Sequence, residues 1–152
     1  MVFDQYQRYE TISRMISIIK RQEETEKFKI LEVGANAQKT LSNFISDEIF
    51  FTDIQEIEEL KDDDHFFVAD ATNLDGIEND EYDIVVANIL ADVIIPMAPV
   101  IPARLKKGGY FITSGIIDFK EDQVKEAIEK AGLTVVEINH QGEWVNITAQ
   151  KR

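Results

Sequence analysis

Apolar positions along this chain recur with two different periods. At the start, Tyr9, Ile12, Ile16 and Ile19 fall three and four residues apart while Arg8, Glu10, Arg14 and Lys20 fall elsewhere. That spacing predicts an amphipathic helix packed on the body of the domain. Beyond the charged stretch 21–27 the pattern changes to short apolar runs at 29–33, 49–52, 66–69, 82–87 and 110–114. The first four stop at Gly34, Asp53, Asp70 and Asn88, and all five predict strands. Run 82–87 is nearly continuous in Ile and Val, as expected for a strand covered on both faces.

The intervening segments predict helices of unequal quality. Residues 37–45 read as a short helix and 55–61 as a weak acidic one. Over 91–105, Pro96, Pro99 and Pro102 remove backbone donors and divide or bend the helix. Lys106-Lys107-Gly108-Gly109 predicts a turn; Asp118 is placed to cap a helix over 120–131 that stops at Gly132. Two β-rich runs, 133–139 and 144–149, flank 140–143 and predict a terminal antiparallel hairpin. Trp144 and Phe111 read as packing residues, given their alternation with polar neighbours. The alternation as a whole predicts an α/β fold, Rossmann-like and doubly wound on a mostly parallel sheet. One domain is expected, with an N-terminal helix in 1–28 and a cofactor-binding core over 29–152.

Charge narrows the list of partners. Sixteen Lys and Arg against 29 Asp and Glu give a net charge of −13, which makes a phosphate backbone an unfavourable partner, so no nucleic-acid substrate is expected. There is no Cys, and His65 and His140 are far apart in sequence, so no thiolate nucleophile, histidine base or metal site is expected. The acidic triplet Asp62-Asp63-Asp64 reads as a solvated loop. Residues 84–103 are apolar but carry Asn88, Asp92 and three prolines, against a membrane span. The first residues lack a signal-peptide pattern, and the expected location is the cytoplasm.

In open parallel sheets, ligands sit outside the carboxyl ends of the strands, where this chain presents Glu32, Gly34, Asp53, Asp70 and Asn88. Asp53 follows Glu32 by 21 residues, close to the interval of about 20 between a glycine loop and a ribose-binding acid. Gly34 lets the backbone approach a ligand, and the Asp53 carboxylate can accept from both hydroxyls of an adenosine ribose. A nicotinamide-dependent oxidoreductase uses such an acid too, but its pyrophosphate prefers a loop richer in glycine than one with Gly34 alone.

Ile-Leu-Glu-Val-Gly-Ala-Asn at 30–36, Thr-Asp-Ile at 52–54, Ala-Asp-Ala-Thr at 69–72 and Asp-Ile-Val-Val-Ala-Asn at 83–88 resemble class I S-adenosylmethionine-dependent methyltransferases. The resemblance implies a seven-stranded sheet whose last strand is antiparallel and inserted through a hairpin, with S-adenosyl-L-methionine as cofactor. It also implies that Glu32 and the Gly34 loop, with Ala35 and Asn36, face the methionine part. Asp53 then faces the ribose, Ile54 the adenine, and Asp70 with Ala71 the adenine edge. Asn88 begins the substrate-facing loop, as part of the cofactor site and as the residue positioning the reacting amine.

The second half, 87–94 through 106–116, resembles more closely the bacterial ribosomal protein L-eleven methyltransferases, which implies methylation of protein amines. The first half resembles small stand-alone methyltransferases of another branch. This mismatch predicts a chimera joined between about Tyr82 and Asn88. Three functions follow: an S-adenosylmethionine-dependent transferase acting on a protein amine or small molecule, a cofactor-binding scaffold inert toward acceptors, and the nicotinamide enzyme.

Overall fold

The computed structural model describes residues 3–34 and 40–152, with 3–6 as helical backbone only. In chain order the principal elements are α1 (Phe3–Gln22), β1 (Lys29–Val33), β2 (Glu48–Asp53), β3 (Phe66–Val68), β4 (Tyr82–Asn88), α2 (Ala91–Met97), α3 (Ile101–Arg104), β5 (Leu105–Ile117), α4 (Glu121–Lys130), β6 (Thr134–Gln141) and β7 (Trp144–Gln150). The strands form one seven-stranded sheet in the order β3-β2-β1-β4-β5-β7-β6. Only β7 runs antiparallel to its neighbours, β5 and β6. This is the doubly wound, mostly parallel α/β sheet that the alternation predicts, with the seven strands and inserted antiparallel strand that the resemblance implies; a dinucleotide dehydrogenase does not call for that hairpin.

Each face of the sheet is covered. The predicted helical stripe, Tyr9, Ile12, Ile16 and Ile19, is buried against Ile30, Ile84, Val86 and Ile112. On the opposite face Ile94, Met97, Val124 and Ile128 pack on Leu31, Val85, Phe111 and Ile147. Alternate residues of β1 and β4 thus enter different cores, which is why both strands read as unbroken apolar runs. From β1 the chain proceeds outward to β2 and β3, then returns beside β1 with β4 and continues the other way. The sheet therefore has its switch point between β1 and β4, where Val33 lies opposite Ala87.

Several expectations need correction. Of the helix expected over 37–45, residues 37–39 lie outside the described residues, and Thr40–Asn43 is a single 3-10 turn. The acidic helix over 55–61 reduces to a 3-10 turn at Glu58–Leu60, where only Leu60 is buried and so no apolar face holds a longer helix down. Residues 106–109 are not a free turn but a bulge within β5: Tyr82 pairs with Leu105 and Ile84 with Tyr110. The bulge is held by the Gly108 N–H on the Lys151 carbonyl and the Lys151 N–H on the Gly109 carbonyl. Asp118 does not cap α4; it opens a 3-10 turn, Asp118–Lys120, and α4 begins without a side-chain cap. The prolines do divide 91–105, into α2, a 3-10 turn at Ala98–Val100, and α3. No helix among the described residues is long and apolar enough to cross a membrane.

Candidate functional site

Two neighbouring cavities open at the switch point. One, of about 230 Å³, is lined by Val33, Gly34, Thr52, Asp53, Ile54, Ala69, Asp70, Ala71, Ile89 and Val93. It brings together Gly34, Asp53, Ile54, Asp70 and Ala71 from the loops after three different strands, as the strand-end argument requires. The other, of about 370 Å³, shares Ile89 and Val93 and adds Arg8, Asn88, Leu90, Gly115 and Trp144. Ala35 and Asn36 lie outside the described residues.

Gly34 is where backbone geometry decides the site. Its φ is +74°, and a Cβ there would come within 2.7 Å of Ile89 Cγ2. Its N–H donates to the Thr52 carbonyl at 2.9 Å, locking the loop start onto β2. Gly34→Ala is expected to cost about 1–3 kcal/mol from positive-φ strain and crowding together. A urea-unfolding midpoint measures this, and an unchanged midpoint would show that neither effect operates.

The carboxylates at the cavity mouth differ in their surroundings. Asp53 Oδ1 accepts from the Gln55 N–H at 3.2 Å. Asp70 Oδ1 accepts from the Thr72 hydroxyl at 2.7 Å and its N–H at 2.8 Å, and these donors hold its carboxyl below the usual carboxylate range. Between them Thr52 lines the cavity with a buried hydroxyl that has no partner among the described residues. Ile54, 65% exposed, forms an apolar lip.

Glu32 is fully buried and lines neither cavity. Tyr9 of α1 donates its hydroxyl to Glu32 Oε2 at 2.5 Å, while Oε1 is buried without a partner among the described residues. Burial pushes the Glu32 carboxyl up to about 8, against the pull of the Tyr9 hydrogen bond. Burial also drives the Tyr9 phenol upward, aided by the neighbouring Glu32 and opposed by Asn88 and Arg8. Beside this pair Arg8 Nε donates to Asn88 Oδ1 at 3.1 Å, and the guanidinium sits 5.0 Å from the centre of the Trp144 ring. Trp144 is thus half-buried at a cavity wall, not in the core; Phe111 is core, as expected. Gly115 permits the close approach of β5 here, since a Cβ on it would meet Asn88 Oδ1 at 3.0 Å.

Sequence reasoning missed Thr52, Gly115, Arg8, Tyr9 and Trp144. A Thr directly after the apolar residues Ile49–Phe51 was the one local signal, because a buried strand end carries a hydroxyl there only at some cost. Away from the cavities, Asp63, Asp64 and His65 bring ligand atoms within 4.8 Å of one another, a clustering the solvated-loop reading did not anticipate. Asp63 Oδ1 accepts the His65 N–H, Asp64 and Glu48 of β2 flank the imidazole and raise its pKa, and the ring stacks on Phe50 at 4.4 Å. His140 likewise meets a carboxylate, Glu121, that its position in the sequence did not indicate.

A family model described as ribosomal protein L11 methyltransferase (PrmA) matches residues 55–152. The ribosomal protein L11 methyltransferase of Agathobacter rectalis is 84% identical over 75 residues, 49% of this chain and 23% of that protein. The Bacillus subtilis protein of the same name is 55% identical over 78 residues, 51% of this chain and 25% of that protein. The chain therefore spans about a quarter of the length of these relatives. Among solved structures, a ribosomal protein L11 methylase from Lactobacillus delbrueckii subsp. bulgaricus superposes with TM-score 0.73 and 17% identity over 93% of this chain and 78% of that one. A 1,6-didemethyltoxoflavin-N1-methyltransferase from Burkholderia thailandensis, solved with bound 1,6-didemethyltoxoflavin and S-adenosylhomocysteine, gives TM-score 0.69 and 18% identity over 91% and 77%. At these identities the structures speak for the fold. No finding supports a chimera: β1 and β2, which precede the matched segment, form one sheet with the rest, β1 pairs in register with β4, and a single solved fold spans both halves.

Proposed function

The chain belongs to the ribosomal protein L11 methyltransferase (PrmA) family, a family of S-adenosylmethionine-dependent methyltransferases, and on that premise we propose that it binds S-adenosylmethionine at the switch point and methylates an amino nitrogen of ribosomal protein L11. The observation that carries this reading is the apolar cavity between β1 and β4 with Asp53 and Asp70 at its mouth. The residues suit the ligand. Val33, Ala69, Ala71 and Ile89 offer flat apolar walls to a purine, and Asp53 offers acceptors to two ribose hydroxyls. The Thr52 hydroxyl, without a partner among the described residues, is available to a bound polar edge. Residues 29–152 are read as the cofactor-binding core of one domain, with α1 packed on it.

When bound, S-adenosylmethionine supplies a methyl carbon on a sulfonium, open to in-line displacement by a neutral amine whose lone pair forms the new C–N bond as the C–S pair passes to sulfur. The chain's part is alignment and exclusion of water. Asn88, at the end of β4 and lining the larger cavity, positions the amine by hydrogen bonding, and the proton leaves to solvent. Leu90 and Val93 shield the approach.

Calorimetric titration with S-adenosylmethionine and S-adenosylhomocysteine, together with radiolabel transfer to ribosomal protein L11, tests the reading. Asp53→Ala is expected to weaken both ligands at least about tenfold, as the loss of charge-assisted bonds to two hydroxyls requires. A folded wild-type chain that binds neither ligand would sink the proposal. Binding without transfer to any amine would leave the inert scaffold.

A further inference from the structure

A single exposed apolar side chain is ordinary, but several of them around a cavity mouth mark an interaction surface. Ile54, at the lip of the smaller cavity, is largely exposed, and so is Leu90, in the wall of the larger. Val93 lines both cavities and joins them. Phe119 is 74% exposed and lines neither. It sits in the 3-10 turn Asp118–Lys120 that follows β5, and that turn is pinned on both sides. On one side the Asp118 N–H donates to the carbonyl of Glu143 at 2.8 Å, next to Trp144, whose partner across the sheet is Ile117. On the other the Lys120 ammonium donates to Asp92 Oδ1 at 3.2 Å, and Asp92 stands between Leu90 and Val93 at the start of α2. Phe119 is therefore held beside the larger cavity, between the hairpin and α2.

We propose that Phe119 anchors a docking surface for the acceptor polypeptide, which lays a basic segment with an apolar side chain over the ring while its amine enters the larger cavity. The proposal rests on the methyltransferase reading above and extends it from the reacting nitrogen to the segment that carries it. Two observations choose this occupant. The apolar side chains begin in the walls of the two cavities and continue outward to Phe119, so a chain that sends an amino group to Asn88 lies along them. The rim around them is acidic: Asp92, Asp118 and Glu143 are exposed, and Asp53 and Asp70 stand at the mouth of the smaller cavity. A segment that is basic around its amine meets favourable charge there, whereas a second copy of a chain with net charge −13 does not. An aromatic ring on a turn already fixed at both ends loses little freedom on binding, as suits a residue that dominates an interface.

The test titrates ribosomal protein L11 into the full chain saturated with S-adenosylhomocysteine, for wild type, Phe119→Ser and Phe119→Leu. The expected result is an affinity for L11 at least about tenfold weaker in Phe119→Ser, with Phe119→Leu, which keeps apolar bulk, retaining most of it. Affinity for S-adenosylhomocysteine and the melting temperature stay at the wild-type values in both variants. An unchanged affinity for L11 in Phe119→Ser overturns the proposal and leaves the methyltransferase reading standing. A loss of S-adenosylhomocysteine binding or of melting temperature in step with the loss of L11 also overturns it, since Phe119 would then serve the cofactor site or the fold. So does a wild-type chain that self-associates in light scattering while Phe119→Ser does not, because the surface would then belong to a second copy. A wild-type chain that binds S-adenosylhomocysteine but not L11 removes the docking surface and the acceptor, and one that binds neither removes the cofactor reading as well.

Discussion

Glu32→Gln is expected to make the unliganded protein more stable than wild type at pH 9, to leave the two nearly equal at pH 5, and to weaken S-adenosylhomocysteine by more than about tenfold. The Glu32 carboxyl titrates near 8 in the folded chain against 4.5 for the unburied group. Between those values the folded protein keeps a proton that the unfolded chain has released, so stability falls as pH rises through the window and the whole cost is present above about 8. Gln is neutral throughout and its carbonyl still accepts from Tyr9 in the same space. Allowing for relaxation around a buried charge, the difference at pH 9 is about 1–3 kcal/mol, a rise in melting temperature of several degrees for a domain of this size. Melts at both pH values measure it. A Gln variant less stable than wild type at pH 9, or a difference that ignores pH, would show that the carboxylate is not costly where it sits. A residue whose removal stabilises the empty protein while costing it ligand affinity is acting for the ligand.

What could be read from the sequence follows from how far each signal reaches. The α1 stripe and the apolar runs of β1 and β4 are periodic over their own lengths, so burial on one face or two is written in consecutive residues. Asp53, Asp70 and Asn88 were legible because a parallel sheet brings strand ends together whatever the loops do. Tyr9 and Trp144 were not. Their roles depend on α1 crossing the face of β1 and β4 and on the hairpin placing the start of β7 beside it, pairings of distant segments that no local pattern encodes. The lost helix over 55–61 failed for a related reason: two apolar positions among acids give it nothing to pack against. The apparent turn at 106–109 shows the reverse case, glycines that look like an ending but form a bulge because Lys151 pairs across them.

Asp47→Ala should be strongly damaging to the packing of α1 on the sheet, at about 2–4 kcal/mol. The Asp47 side chain has no solvent exposure; it accepts the buried Phe28 N–H at 2.7 Å and pairs with Lys20 in the last turn of α1. One carboxylate therefore ties the end of the helix to the entry of β1. Truncation leaves the Phe28 N–H without its acceptor, while Lys20, partly exposed, can turn to water, so the backbone donor bears most of the cost. Asp47→Asn keeps an acceptor for Phe28 and loses only the charge, so it should fall about midway. Urea midpoints at constant slope separate the two, and a midpoint unchanged in Asp47→Ala would rule out this tie. Asp47 lines neither cavity, yet α1 is held at its other end by Tyr9 on Glu32. A loosened α1 should therefore also weaken S-adenosylhomocysteine in Asp47→Ala, and an affinity equal to that of wild type would show that the two ends of the helix act independently.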